Sequence, residues 1–181
     1  MLILCALCVE LGFGDTLTGV VTLSNGRPAR NAVVYLSGHH VHSPGRAVVD
    51  QRNKAFIPHV SAVPIGTTVV FPNNDTVFHN VFAEYDAKRF DLGMYPRGAS
   101  RSVRFDKPGV VALFCSVHSE MGAFILVVDS DVYTVTDSSG AFRLDGVPKG
   151  THSLKVWHET GEVGSVSVVG RGPVRIQARR P

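Results

Sequence analysis

Charge is scarce in this chain: only 18% of its 181 residues are Asp, Glu, Lys or Arg, and the net charge is a small +3. The basic residues are scattered and no basic run is interleaved with aromatics, so nothing marks a nucleic-acid partner. Long hydrophobic runs are missing as well. The stretch Met1 to Val9 is nearly all apolar, but nine residues fall far short of the roughly 20 that cross a bilayer as a helix. No other segment is long and apolar enough, so no membrane span is expected in the mature chain. Helical periodicity is lacking too: no segment keeps an apolar face for three turns, and only Phe82 to Arg89 is read as one short helical turn. Cysteine is confined to Cys5, Cys8 and Cys115.

What the sequence does contain is an apolar fraction of 44%, enough for a buried core, and 18 glycines and 10 prolines that break the chain into short pieces. Turn signals recur at Asn25-Gly26, Pro44-Gly45, Pro72-Asn73-Asn74-Asp75, Pro108-Gly109, Ser139-Gly140 and Pro148-Lys149-Gly150. Between them lie runs rich in β-branched and aromatic residues, such as Ala32–Leu36, Thr67–Phe71, Ser102–Phe105, Val110–Cys115 and Phe124–Val128. Short strands between regular turns predict an all-β sandwich. Met1 to Val9 matches the apolar heart of a secretory signal, although the basic residues that usually precede one are absent, the first being Arg27. Residues 1–14 are therefore read as a signal, and the mature protein as exported to the periplasm. Cys5 and Cys8 would leave with that signal. Cys115 would then be a lone thiol in an oxidising compartment, an awkward state unless a metal occupies the sulfur.

The two ends of the chain make sense together. Gly19-Val20-Val21-Thr22 leads through Asn25-Gly26-Arg27-Pro28 to Ala32–Leu36; far downstream come Thr134-Val135-Thr136-Asp137-Ser138-Ser139-Gly140-Ala141-Phe142 and Val147-Pro148-Lys149-Gly150. Joined, these segments resemble the small regulatory-like sandwich found beside carboxypeptidases and in transthyretin-like domains. The resemblance implies a scaffold without chemistry, formed by residues 15–46 plus 130–181, with residues 47–129 as a second unit inserted between the halves. Phe142, Leu144, Leu154 and Val156 alternate as its buried face.

The chemistry lies in the inserted unit. Val110 to Cys115 reads as a strand in which Val111, Leu113 and Cys115 share the core face. The following loop holds Cys115, His118 and Met121 at intervals of three. Thiolate, imidazole and thioether are all donors that copper accepts, but a trigonal site needs a second imidazole. His79, just after the Pro72–Asp75 turn, supplies it.

With Cys115-x2-His118-x2-Met121, His79-Asn80-Val81 and the approach Gly66 to Asn73, residues 47–129 resemble the cupredoxins, the type 1 blue-copper family. The resemblance is to the amicyanin, plastocyanin and pseudoazurin branch and to plastocyanin-like "methylamine utilization" proteins. It implies a Greek-key β-sandwich holding one copper ion through His79, Cys115, His118 and the axial Met121, with Asn80 tying the two ligand loops together. It also implies a one-electron carrier rather than an enzyme, with a redox protein docking near an exposed His118. Val117 departs from relatives that carry Pro there. Met94, Tyr95, Pro96, Val117 and Gly122 are expected around the docking face. The alternative is a copper-handling protein, for which the only specific support is the cluster His39-His40-Val41-His42; that cluster is otherwise a solvated loop. An enzyme of the nitrite reductase or multicopper oxidase kind needs further His clusters, and the chain has only eight His. Oligomeric state is left open.

Overall fold

The computed structural model describes residues 14–39, 45–84, 87–169 and 172–181. The expected signal with Cys5 and Cys8 falls on residues outside the described ones, apart from Gly14, and so do His40 and His42. Among the described residues the regular structure is entirely strand. The N-terminal strands are β1 (Asp15–Thr22) and β2 (Val33–Leu36). The central section holds β3 (Arg46–Val48), β4 (Asp50–Arg52), β5 (Ala55–Ile57), β6 (Val60–Pro64), β7 (Thr68–Pro72), β8 (Phe82–Ala83), β9 (Phe90–Asp91), β10 (Ser100–Arg104), β11 (Gly109–Phe114) and β12 (Gly122–Val128). The C-terminal strands are β13 (Tyr133–Val135), β14 (Ala141–Val147), β15 (Thr151–Trp157), β16 (Val163–Val169) and β17 (Gly172–Gln177).

The helical turn expected over Phe82 to Arg89 is corrected here. Phe82 and Ala83 are strand, paired antiparallel with Asp91 and Phe90, and Phe82 also sits opposite Phe114. A bulky aromatic beside a central strand gains more from cross-strand packing than from a single isolated turn, whose nucleation is unfavourable.

Pairing brings the two ends of the chain together. Strand β1 lies between β14 and β17, and β2 lies between β13 and β15. The two sheets enclose an apolar core that includes Leu17, Val21, Leu36, Phe142, Leu144, Leu154, Val156 and Ile176. The turn before β14 shows how local sequence sets this pairing. The Asp137 carboxylate accepts the N–H groups of Ser139 and Ala141, and Gly140 turns the chain at φ 74°. A Cβ at Gly140 would stand 2.3 Å from the Val21 carbonyl oxygen, which no side chain tolerates.

The central section packs a β10-β7-β3 sheet against a β6-β12-β11-β8-β9 sheet. Its core includes Val69, Phe71, Phe105, Val111, Leu113, Ile125 and Val127. Strand β12 explains its own unbroken apolar run, because both of its faces are covered. Ile125 and Val127 face this core, whereas Leu126 and Val128 join Val33 and Val60 in a third cluster against the flanking strands. Phe124 and Trp157 meet there with ring centroids 5.7 Å apart.

Candidate metal centre

Strand β11 ends with an inside-outside alternation: Leu113 is buried, Phe114 is 38% exposed and Cys115 turns back inward, 5% exposed. The chain then leaves the sheet, and the Met121 N–H donates to the His118 carbonyl at 3.0 Å, closing the loop before β12 begins. His79 arrives from the other sheet, past the end of β7. Its backbone is pinned by Tyr95, whose N–H donates to the His79 carbonyl at 2.9 Å while the His79 N–H returns to the Tyr95 carbonyl at 3.3 Å. The Asn80 carbonyl Oδ1 accepts the Ser116 N–H at 2.8 Å and its hydroxyl at 2.9 Å, a cross-link between the two ligand-bearing segments.

The donor atoms converge. Cys115 Sγ lies 3.8 Å from His79 Nδ1 and 3.8 Å from His118 Nδ1, and the three atoms lie within 4.8 Å of one another. Those separations suit an ion between them. A metal–thiolate bond of about 2.3 Å and a metal–imidazole bond of about 2.0–2.1 Å meeting near 120° put sulfur and nitrogen about 3.8 Å apart, whereas a tetrahedral angle gives about 3.5 Å. Both sulfur–nitrogen separations are ones that a shared ion between these residues would allow. Two imidazoles and one soft thiolate, with a thioether in the same loop, are a donor set that would suit copper. Met121 is 1% exposed and packs in the same core as Cys115. His79 is fully buried, while His118 is half-buried between exposed Val117 and Ser119.

One participant was not legible in the sequence. Asp75 Oδ2 lies 3.0 Å from His79 Nε2, on the ring edge away from Cys115. A carboxylate only accepts, so Nε2 is the donor in this bond and Nδ1 is the ring nitrogen left facing the thiol. The Lys54 N–H donates to the same Oδ2 at 2.6 Å and the Thr76 N–H to Oδ1 at 2.7 Å. The Lys54 N–H, followed by His79, holds this carboxyl well below the usual carboxylate range. Within Pro72-Asn73-Asn74-Asp75, Asp75 reads simply as a turn residue; the available signal was its place four residues before His79.

Tyr95 must be moved from the expected docking face to the core. It is fully buried, and its hydroxyl donates to the Phe71 carbonyl at 3.0 Å and lies 2.6 Å from Gln51 Nε2. Burial pushes its phenol up to about 12. Inward placement follows from strand-like pairing with His79, which turns neighbouring Met94 and Pro96 outward. Of the His39 cluster, only His39 is among the described residues. Its Nε2 lies 3.3 Å from His152 Nδ1, and His152 Nε2 is tied to the Pro148 carbonyl. His59 is not part of the donor cluster; it bridges the Gly122 carbonyl and the Glu159 carboxylate.

No family model matches the chain, and neither does any curated protein. Among solved structures, it is similar to a novel purple cupredoxin from Nitrosopumilus maritimus at 25% identity, covering 45% of this chain and 98% of that one, TM-score 0.41. It is similar to the copper-containing nitrite reductase of Thermus scotoductus at 24% identity, covering 59% of this chain but only 28% of the reductase, TM-score 0.44. The reduced state of an amicyanin variant is 20% identical over 54% of this chain and 98% of that one, TM-score 0.42. At TM-scores this low, none of these likenesses decides function.

Proposed function

We propose that this protein is an exported, periplasmic type 1 copper protein that passes one electron at a time between protein partners and is not itself an enzyme. Its copper ion is held by His79, Cys115, His118 and Met121. The observation that carries the reading is the pair of equal 3.8 Å separations between one buried thiol and two imidazole Nδ1 atoms. Copper supplies the chemistry when bound, alternating between two oxidation states. The protein residues hold the donors still. Cys115 and His79 are walled in by the core, the Tyr95 backbone fixes His79, and Asn80 fixes the start of the second ligand loop. A preset donor geometry keeps reorganisation small as the charge changes.

His118 is the door for electrons. It is the one half-exposed donor, and the ligand segments and their neighbours expose apolar side chains, Phe78 at 56%, Val117 at 53% and Met94 at 46%, beside exposed Ser116, Ser119 and Glu120. A small, dry and weak interface suits a redox partner that must leave quickly. We further propose that residues 15–46 and 130–181 make a regulatory-like sandwich carrying residues 47–129 as an insert, and that the insert is of the plastocyanin-like methylamine-utilization type. The β1–β14 and β2–β15 pairings and a separate apolar core support that division.

The visible spectrum after copper(II) addition tests the reading. A thiolate bound to copper(II) gives intense blue to green colour, and Cys115→Ser must abolish it. A colourless wild-type protein after careful loading sinks the proposal. A copper-delivery role is the second reading, favoured by the approach of His39 to His152. Competition for copper(I) against a chelator separates the two, since a carrier retains its ion and a delivery protein surrenders it to a partner.

A further inference from the structure

The structure assigns to Asp75 a role in setting the redox balance of the centre: it is a positioning residue whose negative charge, delivered through His79, favours the oxidised ion and so lowers the reduction potential. The inference rests on the copper reading above. Its basis is geometric. Asp75 and His79 have side chains only 8% and 0% exposed, so water screens little of their interaction. The carboxylate takes the Nε2 proton of the same ring whose Nδ1 faces Cys115. A ring that donates to an anion is a stronger electron donor at its other nitrogen than one that donates to a neutral carbonyl.

The charge count points the same way. With copper(II), a thiolate and a carboxylate make a site of net charge zero; with copper(I), the same site carries one uncompensated negative charge. Without the carboxylate, the corresponding values are one positive charge and zero. A neutral assembly is easier to keep in a largely buried site than a charged one. The carboxylate therefore stabilises the oxidised state relative to the reduced state.

The fold keeps the carboxylate in place from two directions. Asn73 Oδ1 accepts the Asp75 N–H at 2.9 Å, and Asn73 Nδ2 donates to the Val77 and Tyr95 carbonyls. From the opposite side, the β4–β5 hairpin turns at Asn53 and Lys54, with φ 53° and 55°. Two successive left-handed residues mark a tight hairpin turn, a conformation that non-glycine residues enter only at a cost. That turn aims the Lys54 N–H at Asp75 Oδ2. Asp75 is not a fifth ligand, because its oxygen is engaged on the far edge of the imidazole.

The test compares copper-loaded full-length wild type with Asp75→Asn and Asp75→Glu. Asp75→Asn keeps an acceptor oxygen of similar shape and removes the charge. It should remain coloured, with a 10–100-fold weaker hold on copper(II) and a smaller change for copper(I). Each tenfold differential raises the potential by about 59 mV. Asp75→Glu, which restores the charge, should move the potential back toward wild type. A coloured Asp75→Asn protein with an unchanged potential overturns the inference while leaving the copper reading intact. A wild type that takes up no copper overturns the copper reading. Nitrogen NMR of the copper-free wild type gives a check that needs neither variant nor metal: His79 must carry its proton on Nε2, and a proton on Nδ1 instead overturns the inference.

Discussion

The central section and the flanking strands both enclose apolar cores, but they differ in what else they bury. Around the donors, Gln51, Asn73, Asp75, His79 and Asn80 are all buried polar side chains. In the flanks the buried polar groups are fewer, chiefly Thr136, His158 and Glu162, and they tie the N-terminal loops to the C-terminal segments: Thr136 Oγ1 accepts the Ala32 N–H, and Glu162 accepts the Ser24 N–H. Each buried polar group needs a partner, or it costs about 1–3 kcal/mol. A polar network beneath a core is thus a sign of positioning rather than of stability. The flanks hold shape; the central section spends stability on holding two histidines and a thiol at fixed separations.

That contrast is broken most completely at Cys115. Cys115→Ser should lose the colour and most of the copper affinity while leaving the fold, because serine is close in size and the site lies at the strand's end; spectroscopy and metal analysis check both. Leu154→Ala should do the reverse. Leu154 is fully buried in the flanking core, so the cavity should cost about 2–5 kcal/mol in urea unfolding without moving the visible spectrum. If the spectrum shifts with Leu154→Ala, the two sections are not separable in the way proposed.

Smaller effects sharpen the picture. Asn80→Ala removes the acceptor for the Ser116 N–H and hydroxyl, and should cost about 1–3 kcal/mol together with a visible change in colour or in copper affinity. Val117→Asp should leave both stability and colour unchanged and slow only electron transfer to a partner protein, measured by stopped flow. The least effect is expected at Glu162, whose carboxyl is held below its ordinary value of 4.5 chiefly by the Ser24 N–H. A lowered folded-state value adds stability above about pH 4.5 that is lost as pH falls further. Glu162→Gln should therefore flatten the acid side of the copper-free stability profile, with little change in its slope near neutrality.

Much of this protein was legible before any coordinates. The Gly, Pro, Asn and Asp turns mark where strands end because few other residues take those backbone angles, and alternation placed Val111, Leu113 and Cys115 on the inner face. Spacing of three in Cys115, His118 and Met121 marked the loop for which a ligand role is proposed. The miss at Phe82 arose because a two-residue strand has no periodicity to read. The miss at Tyr95 arose because an aromatic between Met94 and Pro96 looks like surface until its pairing with His79 is known.

Local chemistry in the sequence by itself determined the strand-and-turn character, the all-β class and the donor types, since each depends on residues close together in the chain. Tertiary structure alone decided which distant groups meet. It set His79 and His118 at equal distances from one sulfur, brought Lys54 and Asp75 behind His79, and joined β1 to β14 across the whole central section. Such meetings depend on sheet register and packing between segments far apart in the chain, and no local pattern of residues encodes them.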